Sequence, residues 1–272
     1  MKKLMITSIA LTATVLIGFA GNASATIFGE NITIYDGTED STHTGTNIGR
    51  EDGETEPGMV NSQAWDLEGF FQKGNELSMV GGYNFVTGEG LFESGDIFLS
   101  IDDTFGSGAA PSGFVASNGN WEEESNFGYE YVIDLNFSDL NNLTYEVLKL
   151  DPTDTTLTAW YPANENDTPG SNPWRYVSGG EQVENGTGTF EFFSGLTNAD
   201  TGFLGGSHYA LTGFDLSFLG IEAEFYSHFT MGCGNDNLLG QGTTAPVPEP
   251  ATMLLFGTGL VGLAGAYRRK KK

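Results

Sequence analysis

The chain has 272 residues, with 36 acidic against 11 basic side chains and a formal net charge of −25. So acidic a protein repels the phosphates of nucleic acid and the head groups of anionic lipid, which excludes a nucleic-acid-binding role. Cys233 is the only cysteine, so an intramolecular disulfide is excluded and the fold must be held by its own core.

Met1-Lys2-Lys3 opens the chain, followed by an apolar run from Leu4 to Phe19, then Gly21-Asn22 and Ala23-Ser24-Ala25. A basic start, an apolar run and a small-x-small ending, in that order, read as a secretory signal peptide over residues 1–25. Ala23 and Ala25 fit the shallow pockets of a signal peptidase, so cleavage after Ala25 and a mature start at Thr26 are expected. Between Thr26 and Pro250 only Arg50, Lys73, Lys149 and Arg175 are basic, while all 36 acids lie there, so this body carries a formal charge of about −32. Such a surface suits a protein exposed to external cations.

The body is rich in Gly, aromatics, Thr and Asn, which favours strands joined by tight turns over helices. Strands are expected, in chain order, at Ile27–Tyr35, Trp65–Gln72, Glu76–Val80, Leu143–Leu150, Thr189–Phe193 and Ile221–Met231. Three further segments alternate with period two. Ile97, Leu99 and Ile101 alternate with Phe98, Ser100 and Asp102. Tyr129, Tyr131, Ile133, Leu135 and Phe137 alternate with polar or small neighbours over the same span. Phe214, Leu216 and Phe218 alternate with Asp215, Ser217 and Leu219. Turn signals fall at Lys73-Gly74-Asn75, Gly81-Gly82, Ser138 to Asn142 and Gly179-Gly180. Two longer irregular stretches are expected at residues 39–57 and 106–124. Together these predict a mainly β body over residues 26–236, an antiparallel β-sandwich or jelly-roll. Residues 237–246 read as a flexible stalk.

Asp96, Asp102 and Asp103 bracket a strand, and carboxylate oxygens at strand ends form a candidate calcium site, since Ca²⁺ takes six to eight oxygens. The alternative is a set of turn aspartates. Trp160, Trp174 and Tyr176 are candidate sugar-stacking rings, or simply packing residues. Cys233, with His228 and Asp236 nearby in sequence, raises a thiol nucleophile, but such a site needs thiol and imidazole in hydrogen-bond reach. Five positions apart on a strand, His228 and Cys233 point to opposite faces. No zinc spacing and no Gly-x-Ser-x-Gly elbow occur, so no catalytic residue and no cofactor other than calcium is assigned.

Val247-Pro248-Glu249-Pro250 leads into Ala251 to Tyr267, apolar or small at nearly every position, and then Arg268, Arg269, Lys270, Lys271 and Lys272. Seventeen helical residues span about 25 Å, within the accepted range for a transmembrane helix. Five cations hold the end in the cytoplasm and place the body on the far side of the inner membrane. Gly257-Thr258-Gly259-Leu260-Val261-Gly262 matches a dinucleotide fingerprint but lacks the strand before it and the acid after it, and reads instead as helix-packing positions.

Pro248-Glu249-Pro250, the Gly-rich apolar helix and the basic end over residues 247–272 resemble the PEP-CTERM sorting signal of exported proteins of Gram-negative bacteria that make extracellular polysaccharide. The resemblance implies recognition and cleavage at the Pro-Glu-Pro by an exosortase, a membrane-embedded transpeptidase-like enzyme. His228-Phe229-Thr230-Met231-Gly232-Cys233-Gly234-Asn235-Asp236, with Asn172-Pro173-Trp174-Arg175-Tyr176, is similar to segments of a subset of these proteins and implies no catalytic role. The expectation is a non-enzymatic, structural or adhesive protein of the cell envelope or extracellular matrix. Its expected partners are signal peptidase, an exosortase, the inner membrane and extracellular polysaccharide. The alternative is a carbohydrate-binding module or polysaccharide-active enzyme of that matrix.

Overall fold

The computed structural model describes residues 27–35, 62–101, 119–160 and 171–245. The signal peptide, the polar stretch 39–57, Asp102, Asp103 and the whole sorting tail lie outside the described residues.

Fifteen strands follow one another: β1 Glu30–Asn31, β2 Thr33–Tyr35, β3 Leu67–Lys73, β4 Glu76–Gly81, β5 Ile97–Ser100, β6 Glu122–Glu124, β7 Tyr131–Asn136, β8 Thr144–Lys149, β9 Thr155–Leu157, β10 Arg175–Ser178, β11 Glu181–Thr189, β12 Glu191–Leu196, β13 His208–Asp215, β14 Glu224–Thr230 and β15 Asn237–Thr243. One short helix, α1 at Asn198–Thr201, and two 3₁₀ turns at Gln63–Trp65 and Ser217–Leu219 complete the elements. The architecture is mainly β, and the pairings are antiparallel. A five-stranded sheet has the order β1-β3-β4-β13-β12, and a seven-stranded sheet the order β11-β8-β7-β5-β14-β15-β2. A three-stranded sheet runs β10-β9-β6.

Local chemistry sets the turns. β3 and β4 pair to the end at Lys73 and Glu76, which leaves Gly74 and Asn75 as a two-residue loop. Gly74 has φ +66, a value a side chain would disfavour. The β7–β8 hairpin closes through Asn142 N–H donating to the Asp139 carbonyl at 2.9 Å. Gly179 and Gly180, both at positive φ, turn β10 into β11.

The largest apolar cluster takes Leu67, Phe70, Leu77, Met79, Leu211 and Phe214 from the five-stranded sheet, and Ile97, Leu99, Ile133, Phe225, Phe229 and Leu238 from the seven-stranded one. Each fully buried aromatic or branched side chain contributes about 1.5–3 kcal/mol of transfer free energy, which stands in for the missing disulfide. A second cluster, Phe98, Tyr129, Val132, Leu148 and Leu150 with Tyr176 against it, lies on the other face of the seven-stranded sheet. Hence all four residues of β5 are buried, Ile97 and Leu99 in the first cluster and Phe98 in the second. A third cluster, Phe28, Phe71, Val80 and Ala210, is completed by Phe193, Leu196 and Phe203.

Four expectations are corrected. Residues 237–246 do not form a stalk: β15 pairs with β14 over seven residues and with β2 on its other side, and it is buried from Asn237 to Gly240. The body therefore continues to Ala245, whose N–H donates to Asn75 Oδ1 at 2.7 Å. The alternation at Phe214, Leu216 and Phe218 is not one strand, because β13 stops at Asp215 and a 3₁₀ turn follows. Asp215 Oδ1 accepts from both the N–H and the hydroxyl of Ser217 and fixes that turn. Thr189–Phe193 is broken at Phe190, where β11 leaves one sheet and β12 joins the other. Finally, the end of the stretch 106–124 is ordered as β6, paired with β9.

Candidate functional site

The segment from His228 to Asp236 links β14 to β15 and is buried throughout. Most of its polar groups are engaged by surrounding chain. His228 Nε2 donates to the Pro173 carbonyl at 2.9 Å, and the ring stacks on Tyr129 with centroids 5.3 Å apart. Thr230 Oγ1 donates to the Asp236 carbonyl at 2.5 Å. The Gly232 carbonyl accepts from Trp160 N–H at 2.8 Å and from Asn120 Nδ2 at 2.8 Å. The Gly234 carbonyl accepts from Ser171 Oγ at 3.1 Å. Asp236 Oδ2 accepts from Leu67 N–H at 2.5 Å, and Oδ1 from Asn237 N–H at 2.7 Å. One turn thereby fastens the start of β3, the Trp160 end of the three-stranded sheet and the approach to β10.

The same burial sets the chemistry of Cys233 and His228. Burial, then the nearby negative charge of Asp236, pushes the Cys233 thiol up to about 12 despite backbone N–H groups that favour the thiolate. Burial pushes His228 down to about 4, against the opposing pull of the Pro173 carbonyl and the Asn237 side chain. A thiol that stays protonated and an imidazole that stays neutral, tied to a carbonyl, do not make a nucleophile and base.

Asp96 lies at the start of β5 and is buried. Its Oδ1 accepts from Leu135 N–H and its Oδ2 from Tyr176 N–H, both at 2.9 Å. β5 pairs with β7 only from Ile97 to Leu99, so the carboxylate takes over the ladder where the strand begins and ties β10 to it. Burial, then the charge of Asp134, raises its carboxyl to about 7, opposed by those two N–H groups and by Arg175. Asp134 is raised too, by burial and by Glu146. At the other end of β5, roughly 13 Å of extended strand away, Glu130 Oε2 accepts from Ser100 Oγ at 2.8 Å and from Ile101 N–H at 3.0 Å. Asp102 and Asp103 follow directly, outside the described residues. Among the described residues no group of three His, Cys, Asp or Glu side chains is placed to hold a metal ion.

Trp160, Trp174 and Tyr176 do not form one exposed row. Trp174 is buried, with its ring over Gly232, and Arg175 Cζ lies 5.8 Å from the ring centroid. Tyr176 packs against the second apolar cluster, and its hydroxyl donates to the Gly179 carbonyl at 2.6 Å. Only Trp160 of the three is exposed.

Sequence reasoning missed a further titratable pair. Glu68 on β3 and His208 on β13 are both fully buried, with His208 Nδ1 2.7 Å from each carboxylate oxygen. Gln63 Nε2 donates to Glu68 Oε1 at 2.7 Å and to the Ser207 carbonyl at 3.2 Å. Asn198 Oδ1 accepts from Gly206 N–H, so the His208 Nε2 that faces it at 3.0 Å must carry a proton. Burial raises the Glu68 carboxyl, and the bonds from His208 and Gln63 offset part of that rise. Its only signal in the sequence is a carboxylate inside the apolar run Leu67-Glu68-Gly69-Phe70-Phe71. An acid and an imidazole sealed from solvent have no route to a substrate, and the pair fastens Asn198 and Ser207 to the sheet.

The family model of the PEP-CTERM protein-sorting motif matches residues 246–270. No curated protein and no solved structure matches the chain. No helix among the described residues is long and apolar enough to cross a membrane, and the expected spanning segment 251–267 is not among them.

Proposed function

We propose that this chain, which carries a PEP-CTERM sorting motif and is thereby an exported, exosortase-sorted protein, is a structural or adhesive component of the cell envelope or extracellular matrix, without catalytic activity. The carrying observation is the motif itself, at the end of a strongly acidic body. The buried state of the reactive groups supports the non-catalytic part: Cys233, His228, Asp96 and the Glu68–His208 pair are all engaged inside the fold. Two antiparallel sheets that share one apolar cluster support a β-sandwich as the body's architecture.

In this reading signal peptidase cuts after Ala25, and the apolar segment 251–267 holds the body outside the inner membrane until an exosortase cuts at Pro248-Glu249-Pro250. The test is intact mass and cell fractionation of the native protein beside a Pro248→Ala/Glu249→Ala/Pro250→Ala variant. A wild-type mass that ends near residues 247–250 and a variant that keeps its tail are expected. A tail retained by both would remove the exosortase step, and protein confined to the cytoplasm would remove the surface role. A carbohydrate-binding role is the second reading, favoured by the exposed Trp160 and Trp121.

A further inference from the structure

Three of the four tryptophans gather where the three-stranded sheet meets the β4–β5 connection. Trp160 follows β9, and Trp121 precedes β6. The β6–β9 ladder continues past its last paired residues: Thr158 N–H donates to the Trp121 carbonyl at 2.9 Å, and Gly119 N–H to the Trp160 carbonyl at 3.2 Å. Trp121 is thus opposite Thr158, and Trp160, two residues further on, is bonded to Gly119, against which the Trp121 indole lies. Both are exposed, Trp121 by 55% and Trp160 by 38%.

These rings are held in place before any ligand arrives. The Trp160 backbone N–H donates to the Gly232 carbonyl and fixes the main chain that carries the ring. Phe92 meets Trp160 edge-on at 6.2 Å between centroids and Trp65 at 6.0 Å, so three rings form a braced row from the interior to the surface. Phe92 is itself fixed, since its N–H and carbonyl both bond to Glu89 at 3.1 Å and the Tyr83 hydroxyl donates to the same carbonyl at 3.0 Å. Rings already ordered lose little entropy on binding. Glu93, which follows Phe92 in the chain, has 72% of its side chain exposed and pairs at 3.0 Å with Arg175, whose guanidinium lies over the Trp174 ring.

Charge selects the occupant. A body of about −32 repels polyanions, and a protein partner would have to bring cations to match it. A neutral sugar needs none: its C–H faces stack on indole and phenyl rings, and its hydroxyls donate to carboxylate oxygens. The geometry points to a stacking site for a neutral glycan, formed by Trp160, Trp121 and Phe92. This rests on the adhesive reading above and supplies the chemical class of its ligand.

The test is a tryptophan-emission titration of the mature protein with the neutral hexasaccharides cellohexaose, laminarihexaose and mannohexaose, and with the anionic oligogalacturonate. A saturable shift with at least one neutral sugar and none with the anionic one is expected. Trp160→Ala and Trp121→Ala should each weaken it about tenfold, while Trp160→Phe, which keeps a ring and controls for folding, retains most of it, as does Leu204→Ala elsewhere on the surface. Absence of any saturable shift, equal binding by the Trp160→Ala variant, or indoles shielded from acrylamide by another part of the chain or a second copy would overturn the site. Such a failure alongside normal tail cleavage and surface location would leave the structural reading standing.

Discussion

Removal of one partner from the Glu68–His208 pair should be among the most damaging single changes to the fold. Both side chains have no exposed surface and lie 2.7 Å apart. His208→Leu leaves the buried Glu68 with only Gln63 as a donor, and Glu68→Leu leaves His208 with Asn198 and, at 3.4 Å, Gln63. Breaking a buried pair in this way costs about 3–5 kcal/mol, because the remaining group stays buried without its partner. Domain stability is about 5–15 kcal/mol, so either single variant should lose a fifth or more of it. The double Leu variant should cost less than either single, since it removes both members of the buried pair and replaces them with apolar volume. Equilibrium urea unfolding of the wild type, both singles and the double closes the cycle. Single variants that each cost under about 1 kcal/mol, or a double that costs the sum of the two, would refute the reading of a dry, mutually dependent pair.

The Asp96 carboxyl is raised from an ordinary 3.8 to about 7, so between those values the folded chain holds a proton that the unfolded chain has released. That stabilisation is complete below pH 4, falls as pH rises and is gone above pH 7, a change of about 4 kcal/mol over the interval. Asp96→Asn should flatten the stability–pH curve there by a similar amount; identical wild-type and variant slopes would be the contrary result. Gly232→Ala places a Cβ 2.9 Å from Trp174 Cζ2 and should cost about 1–3 kcal/mol in urea unfolding, with part of it recovered in a Trp174→Phe background. Cys233, with its thiol pushed up to about 12, should react with a thiol reagent only as fast as the protein unfolds, and labelling at the rate of a free cysteine would contradict the buried turn.

What the sequence made legible follows from how each strand is covered. β7 was legible because Tyr131, Ile133 and Leu135 alternate along it, although Val132 between them is buried on the other face. β11 gave no such signal: Glu181–Thr189 is largely exposed along its length, and its strand form comes from pairing with β8. β15 was hidden for the opposite reason. Gly240 and Gly242 look like linker residues, yet a Cβ on Gly240 would come 2.7 Å from Ser227 Oγ and 3.0 Å from Phe70 Cβ, and one on Gly242 would come 2.6 Å from the Phe225 ring. Close approach of neighbouring layers demands glycine there, and composition cannot separate that demand from flexibility. The Glu68–His208 pair was out of reach because its members are 140 positions apart and meet only once β3 and β13 flank β4. Asp96 was singled out as a candidate calcium ligand, and in the fold its oxygens accept from backbone N–H groups.

The position of β15 has a mechanical consequence. From Ala245, the last of the described residues, to Ala251 at the start of the apolar segment is six residues, at most about 21 Å of fully stretched chain. While the tail is in the bilayer, the body rides on a short leash close to the head groups. Any drag on it from flow or a bound surface is delivered along a strand clamped between β14 and β2. A load in that direction is shared by all seven rungs of the β14–β15 ladder at once instead of opening them one by one, so the leash is fastened to one of the best-anchored strands in the molecule.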